Sequence, residues 1–340
     1  DEGVVNSGGH DVFHGGLSFG WVVRVIGADR IPSRPRVDEN GETAVSAPHY
    51  NRESVSLEVI MQRVAIAIAV LLCTHAGVRA AEPYEKVANI AYLGAAADTD
   101  YAKEQCRLDV YKPVGKKGYA TIVWFHGGGL KGGDRNSGLA FARRFTSEGF
   151  GVVLVGYRFS PKVKCPVYIE DAAASVAWTI KHIAVHDGDP KKVFVSGHSA
   201  GGYLTAIIGM DKRYLAKHDL STDAIAGCMP VAGQMITHST IRGERGMDER
   251  QPLIDEYAPA YHARKDAPPF ICFAGDRDMI ARAEENLYFT AVMKGTGHKR
   301  VECVIAKDRD HGSVAGKFND PKDEVSLAML RFMKGIVEDQ

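Results

Sequence analysis

A serine hydroxyl becomes a useful nucleophile only when three other parts surround it. A base must take its proton, a carboxylate must steady that base, and preorganised donors must receive the oxyanion that develops. The chain of 340 residues contains candidates for every part. Gly197-His198-Ser199-Ala200-Gly201 has the G-x-S-x-G form of a nucleophile elbow, a tight turn that exposes the serine hydroxyl between a strand and a helix. That places the Ala200 N–H beside the developing oxyanion, where the helix N-terminus adds partial positive charge. The five-residue pattern arises often by chance. Its weight comes from the strand-like Val193–Ser196 before it and the helix-like Gly202–Met210 after it.

The donors come from His126-Gly127-Gly128-Gly129, directly after the apolar run Thr121–Phe125. Glycines without side chains let N–H groups approach a substrate, so Gly128 and Gly129 join Ala200 as the expected oxyanion donors. A phosphate cradle would close on Gly-Lys-Ser/Thr, whereas Gly132-Gly133-Asp134 supplies an acid there. The base is expected to be His311 in Asp310-His311-Gly312. Its competitor His298 precedes its strand and so falls at the wrong end of a sheet. The acid is sought in Gly275-Asp276-Arg277-Asp278, with Asp278 preferred and Asp276 as the alternative that could instead cap the turn. The order serine, acid, histidine is the order expected for a fold of this kind.

Short β-branched runs position these residues. They occur at 121–125, 152–157, 193–196, 225–231, 270–274 and 301–306, and helical spacing separates them, as in Ile169, Ala173, Val176, Ile180 and Ile183. The alternation predicts an α/β fold with a mostly parallel sheet covered on both faces. Two earlier strands, near Val87–Tyr92 and Gln105–Tyr111, show no clear helix between them and read as an antiparallel start. The polar, weakly periodic stretch 234–266 reads as a small insertion over one end of the sheet.

Taken together, these motifs resemble the esterase and lipase branch of the α/β-hydrolase superfamily, which includes hormone-sensitive-lipase-like and feruloyl-esterase-like carboxylesterases. The resemblance runs from about Leu108 to Gly312. It includes Tyr157-Arg158-Phe159-Ser160-Pro161, similar to the branch's Tyr-Arg-Leu-Ala-Pro segment with Phe159 and Ser160 as departures, and Glu170-Asp171 before the elbow. It implies an eight-stranded, mostly parallel sheet, with His126, Gly127, Asp134 and Tyr157 supporting the oxyanion loop and Asp171 in a structural role. A second departure is the missing N-terminal cap: about forty residues separate Ala81 from the oxyanion loop. Any cover must come from 234–266, which favours an open site and short or soluble acyl groups.

The expected activity is hydrolysis of carboxylic esters, short-chain or aryl- or sugar-linked, through an acyl-enzyme, with a small-molecule ester as substrate and no metal or organic cofactor. Hydrolysis of acyl amides, as by an arylformamidase-like enzyme, or of peptides would use the same triad, and a non-catalytic binding protein on this fold would usually lack part of it. Lys+Arg and Asp+Glu balance at 42 each, so no net field draws nucleic acid or an anionic membrane. The first methionine is Met61. From there a basic start, the apolar run 64–73 and the small residues ending in Val78-Arg79-Ala80 read as a signal peptide cleaved near Ala80-Ala81. The run is too short to span a bilayer as a stable anchor. Residues 1–60 then read as an upstream or disordered extension, 61–80 as the signal and 81–340 as the exported hydrolase domain, periplasmic or secreted. An oxidising compartment permits a disulfide such as Cys106 with Cys165, whereas Cys228, Cys272 and Cys303 lie in apolar runs as core residues.

Overall fold

The computed structural model describes residues 56–59, 61–66 and 82–338, which fall into two units, 1–78 and 79–340. In the first, 57–59 and 61–66 are helical and exposed. The rest of the expected signal segment, including the expected cleavage point, lies outside the described residues, as does 1–55.

The second unit contains the strands β1 (Tyr84–Ala91), β2 (Arg107–Pro113), β3 (Tyr119–Phe125), β4 (Gly151–Val155), β5 (Gly188–His198), β6 (Gly227–Val231), β7 (Phe270–Arg277) and β8 (Val301–Asp310). Its helices include α1 (Asp100–Gln105), α2 (Leu139–Ser147), α3 (Val167–His182), α4 (Ala200–Met210), α5 (Lys212–Ala216), α6 (Ser239–Glu244), α7 (Arg282–Gly295), α8 (Ser313–Gly316) and α9 (Glu324–Glu338). The strands form one eight-stranded sheet in the order β1-β2-β4-β3-β5-β6-β7-β8. β2 is antiparallel to both β1 and β4, and every neighbouring pair from β4 to β8 is parallel. This is the α/β-hydrolase architecture that the motifs implied.

Alternation along the strands sends side chains to two cores. In β3, Val123 and Phe125 pack on the side of α3, α4 and α7, while Ile122 and Trp124 pack on the side of α2 and α9. Because helices cover both faces, β3, β4 and β6 are buried along their whole length and read as continuous apolar runs. α4 is buried at every residue, which explains why its sequence is apolar all round.

The expectation of no helix between the first two strands is corrected by α1. Thr99 caps it, its side chain accepting the Ala102 N–H at 3.1 Å, and Ala102 is its one buried residue. Six residues with a single buried position leave no periodicity to read.

The order β4-β3-β5 decides where a site can lie. From β3 the chain moves to one side, then returns past β3 to form β5 on the other. A crevice opens at such a switch point, at the carboxyl ends of the strands. There Phe125 pairs with Gly197, which brings the loop after β3 against the turn after β5.

Candidate active site

Ser199 follows β5 and precedes α4 with φ 56° and ψ −116°, a positive-φ conformation that a residue with a side chain rarely adopts. The surroundings hold it there. Its N–H donates to Val231 O at 2.8 Å, and its carbonyl accepts the Tyr203 N–H at 3.0 Å. The turn closes because Gly201 has no side chain: a Cβ there would stand 2.1 Å from Phe125 O.

His311 follows β8, and its Nε2 accepts the Ser199 hydroxyl at 2.8 Å. Its Nδ1–H donates to Asp278 Oδ1 at 2.6 Å. The Asp278 side chain is 1% exposed, and it also accepts the N–H groups of Met279 at 2.7 Å and Gly275 at 3.2 Å. Burial alone would raise its carboxyl pKa, but the His311 hydrogen bond and those two N–H groups outweigh burial and hold it below the usual carboxylate range. Asp276 lies elsewhere: its exposed carboxylate accepts the Arg309 N–H at 3.2 Å. Ser199, His311 and Asp278 therefore form one hydrogen-bonded row, with the preferred acid in it and the alternative outside.

The loop after β3 turns back on itself through positive φ at Gly128 (120°), Gly129 (64°) and Leu130 (59°). A Cβ on Gly128 would stand 2.1 Å from Gly132 O, so only glycine fits that turn. Among the described residues, no acceptor takes the Gly128 or Gly129 N–H. The Ala200 N–H, at the first position of α4, has no intrahelical partner either. Gly127 lies against the nucleophile, since a Cβ on it would be 3.2 Å from Ser199 Cβ. Tyr157 fixes the root of the loop: its hydroxyl donates to His126 O at 2.8 Å and its ring stacks on the His126 imidazole at 4.5 Å. Burial lowers the His126 pKa, which keeps that ring neutral. Asp134 acts further on, capping the 3-10 turn Arg135–Gly138 by accepting the Asn136 N–H at 2.6 Å. Asp171 binds Arg158 through both carboxylate oxygens, at 2.8 and 2.6 Å, under the Tyr157 segment.

The insertion after β6 packs against this loop. The Thr240 hydroxyl donates to Gly129 O, and Lys131 pairs with Glu249 at 2.8 Å. His298 sits away from the row, its Nε2 directed at the carbonyls of Ala267 (2.9 Å) and Pro268 (3.1 Å). Cys106 and Cys165 are both free thiols, as are Cys228, Cys272 and Cys303.

One residue escaped the sequence reading. His198 sits inside the elbow motif, and its Nε2–H donates to His311 O at 2.7 Å. Burial first, and the neighbouring His311 second, lower its pKa to about 4, so it is neutral and braces the His311 backbone. Its place next to Ser199 was visible; its partner, 113 positions along the chain, was not.

The fold and this row of side chains define the class: an α/β hydrolase with a serine at the elbow. Residues 108–227 match the BD-FAE family model, which describes an α/β-hydrolase esterase family. It is 25% identical over 226 residues to esterase LipC of Mycobacterium tuberculosis, covering 60% of this chain and 56% of that one. It is 28% identical over 172 residues to carboxylesterase NlhH of the same organism, covering 50% and 45%. The chain thus spans about half the length of the curated relatives it matches. Among solved structures, esterase B of Lactobacillus rhamnosis superposes with a TM-score of 0.63 at 20% identity, covering 83% of this chain and 96% of that one, which supports the fold.

Proposed function

We propose that the protein hydrolyses carboxylic esters through an acyl-enzyme. The observation that carries this reading is the continuous row Ser199–His311–Asp278, lying beside N–H groups that have no acceptor of their own. Esterase names among its relatives support the same reaction class.

In this reading His311 Nε2 takes the Ser199 proton as Oγ attacks the ester carbonyl. Asp278 holds the Nδ1–H tautomer and stabilises the imidazolium that forms. The N–H groups of Gly128, Gly129 and Ala200 receive the oxyanion, and His311 returns the proton to the leaving alkoxide. Water then repeats the sequence against the acyl-serine and releases the acid. None of these steps draws on a metal or an organic cofactor.

The test is turnover of p-nitrophenyl acetate, p-nitrophenyl palmitate, methyl ferulate and N-formylkynurenine by protein spanning 81–340. Ester cleavage well above amide cleavage is expected. Turnover of the formamide alone would move the activity to amides. We also propose export through the 61–80 segment, which predicts a mature N-terminus at or near Ala81 by mass spectrometry of the exported protein.

A further inference from the structure

A cleft of about 940 Å³ opens between the insertion after β6 and the start of α7. One wall continues directly from Asp278 through Met279, Ile280 and Ala281 to Arg282, the first residue of α7. Much of the lining is apolar, including Ile236, Ile254, Met279 and Tyr288, yet two buried arginines are set into it. Arg242 is 3% exposed and Arg282 is 7% exposed.

Among the described residues, neither guanidinium is hydrogen-bonded to a carboxylate. Arg282 Nη1 donates to Ala232 O at 2.6 Å, and Arg242 donates to the carbonyls of Thr237 (2.9 Å) and Glu249. These acceptors are all backbone oxygens, which cancel no charge. The Nε atom of each arginine is buried with no hydrogen-bond partner. The partly buried carboxylate in the lining, Glu285, accepts the Met235 N–H at 3.0 Å, and burial pushes its pKa up despite the two arginines. Glu249 is exposed and paired with Lys131, while Arg250 and Glu284 are exposed at the rim with opposite signs. Arg282 also stands at the positive end of a helix, where a cation is disfavoured. Glu285 faces both arginines and Asp278 also acts on Arg282, yet neither carboxylate hydrogen-bonds a guanidinium, and a buried donor left without a partner is costly.

We propose that this cleft is a specificity site for an ester whose non-reacting part is apolar and carries a carboxylate, which Arg282 and Arg242 bind. The site rests on the ester-hydrolase reading and narrows the expectation of short or soluble acyl groups to substrates that carry a carboxylate. The apolar lining accommodates the hydrocarbon, and the carboxylate supplies the hydrogen-bonding anion that neither guanidinium has within the protein.

Two matched substrate pairs test it: mono-p-nitrophenyl adipate against p-nitrophenyl hexanoate, and 4-(carboxymethyl)phenyl acetate against 4-ethylphenyl acetate. The first pair places the carboxylate on the acyl side and the second on the alcohol side. At least one pair should favour the carboxylate by about tenfold in kcat/KM, as expected for a charge-assisted pair. Arg282→Gln should erase that preference and Arg282→Lys should keep part of it. Equal or lower turnover of both carboxylate substrates overturns the proposal.

Calorimetric binding of adipic acid monomethylamide against N-methylhexanamide measures the same preference without turnover. A protein that fails to cleave p-nitrophenyl acetate would overturn the esterase reading, while this arm still decides the carboxylate site. Glu285→Gln removes the opposing carboxylate and should tighten binding of the monomethylamide about threefold or more. Unchanged or weaker binding by that variant overturns the proposal even if Arg282→Gln does not fold.

Discussion

The elbow with its oxyanion loop and the wall of the cleft lie at the same end of the sheet but are built by opposite means. The first is main chain against main chain. Carbonyls stand 2.1 Å from where a Cβ would lie on Gly128 and on Gly201, and Ser199 holds a φ of 56°. The second is side chain against carbonyl, with Arg242 bonding within the insertion while Thr240 reaches Gly129 O and Arg282 reaches Ala232 O. Geometry set by backbone approach has almost no slack, because no rotamer change relieves a clash. Geometry set by long side chains can be re-equipped residue by residue. The proposed reacting centre is therefore set by backbone approach, and the proposed selectivity by side chains where substitution is tolerated.

The sharpest way to break this contrast is Ser199→Ala, which should lower kcat by about 10³-fold or more on p-nitrophenyl acetate. Near-normal turnover would refute the site. Asp278→Asn should cost about 10²-fold or more, because the amide cannot hold the same His311 tautomer. Asp276→Asn should stay within about threefold, and the reverse ranking would reassign the acid. Gly201→Ala should destabilise the fold by about 3 kcal/mol or more, since the added methyl meets backbone rather than a movable side chain. Urea unfolding reads this, and a shift under about 1 kcal/mol would show that the elbow has slack after all.

A smaller effect concerns His198. In the unfolded chain it takes up a proton near pH 6.5, whereas in the fold it resists protonation to about pH 4. Its contribution to stability is therefore full above pH 6.5 and is lost as pH falls toward 4, at up to about 1.4 kcal/mol per unit. His198→Gln should flatten the fall measured by urea unfolding between pH 7 and 4.5. Buried His238, its pKa lowered to about 3, leaves a residual slope of the same sign. An unchanged slope in the variant would remove His198 from the account. At the bottom of the scale, Ile280→Ser at the cleft rim, where Ile280 is 99% exposed, should move stability by less than about 0.5 kcal/mol. A larger loss would mean the rim is structural.

Most of the first region is legible in the amino-acid sequence. The elbow and the glycine loop are local: a few residues at fixed spacing between a strand and a helix, where sterics leave few alternatives to glycine. The parallel sheet is legible for a similar reason, since burial on both faces turns β3, β4 and β6 into unbroken apolar runs. α1 is not, because a helix of six residues burying only Ala102 leaves no pattern. The cleft is not either. Arg242 and Arg282 are ordinary charged residues in their own segments, and only packing makes them buried.

The sequence by itself determined the candidate reacting atoms: a serine on a tight turn, glycines with N–H groups to offer, and an acid and a histidine after later strands. Tertiary structure decided which carboxylate meets the histidine. Asp276 and Asp278 are two positions apart on one strand end, and no local rule separates them. The course of β7 beside β8 turns Asp278 into the site under His311 and leaves Asp276 outside at the Arg309 N–H. Close main-chain sterics are written in neighbouring residues, whereas hydrogen bonds across 33 or 112 positions exist only once the sheet has brought the strand ends together.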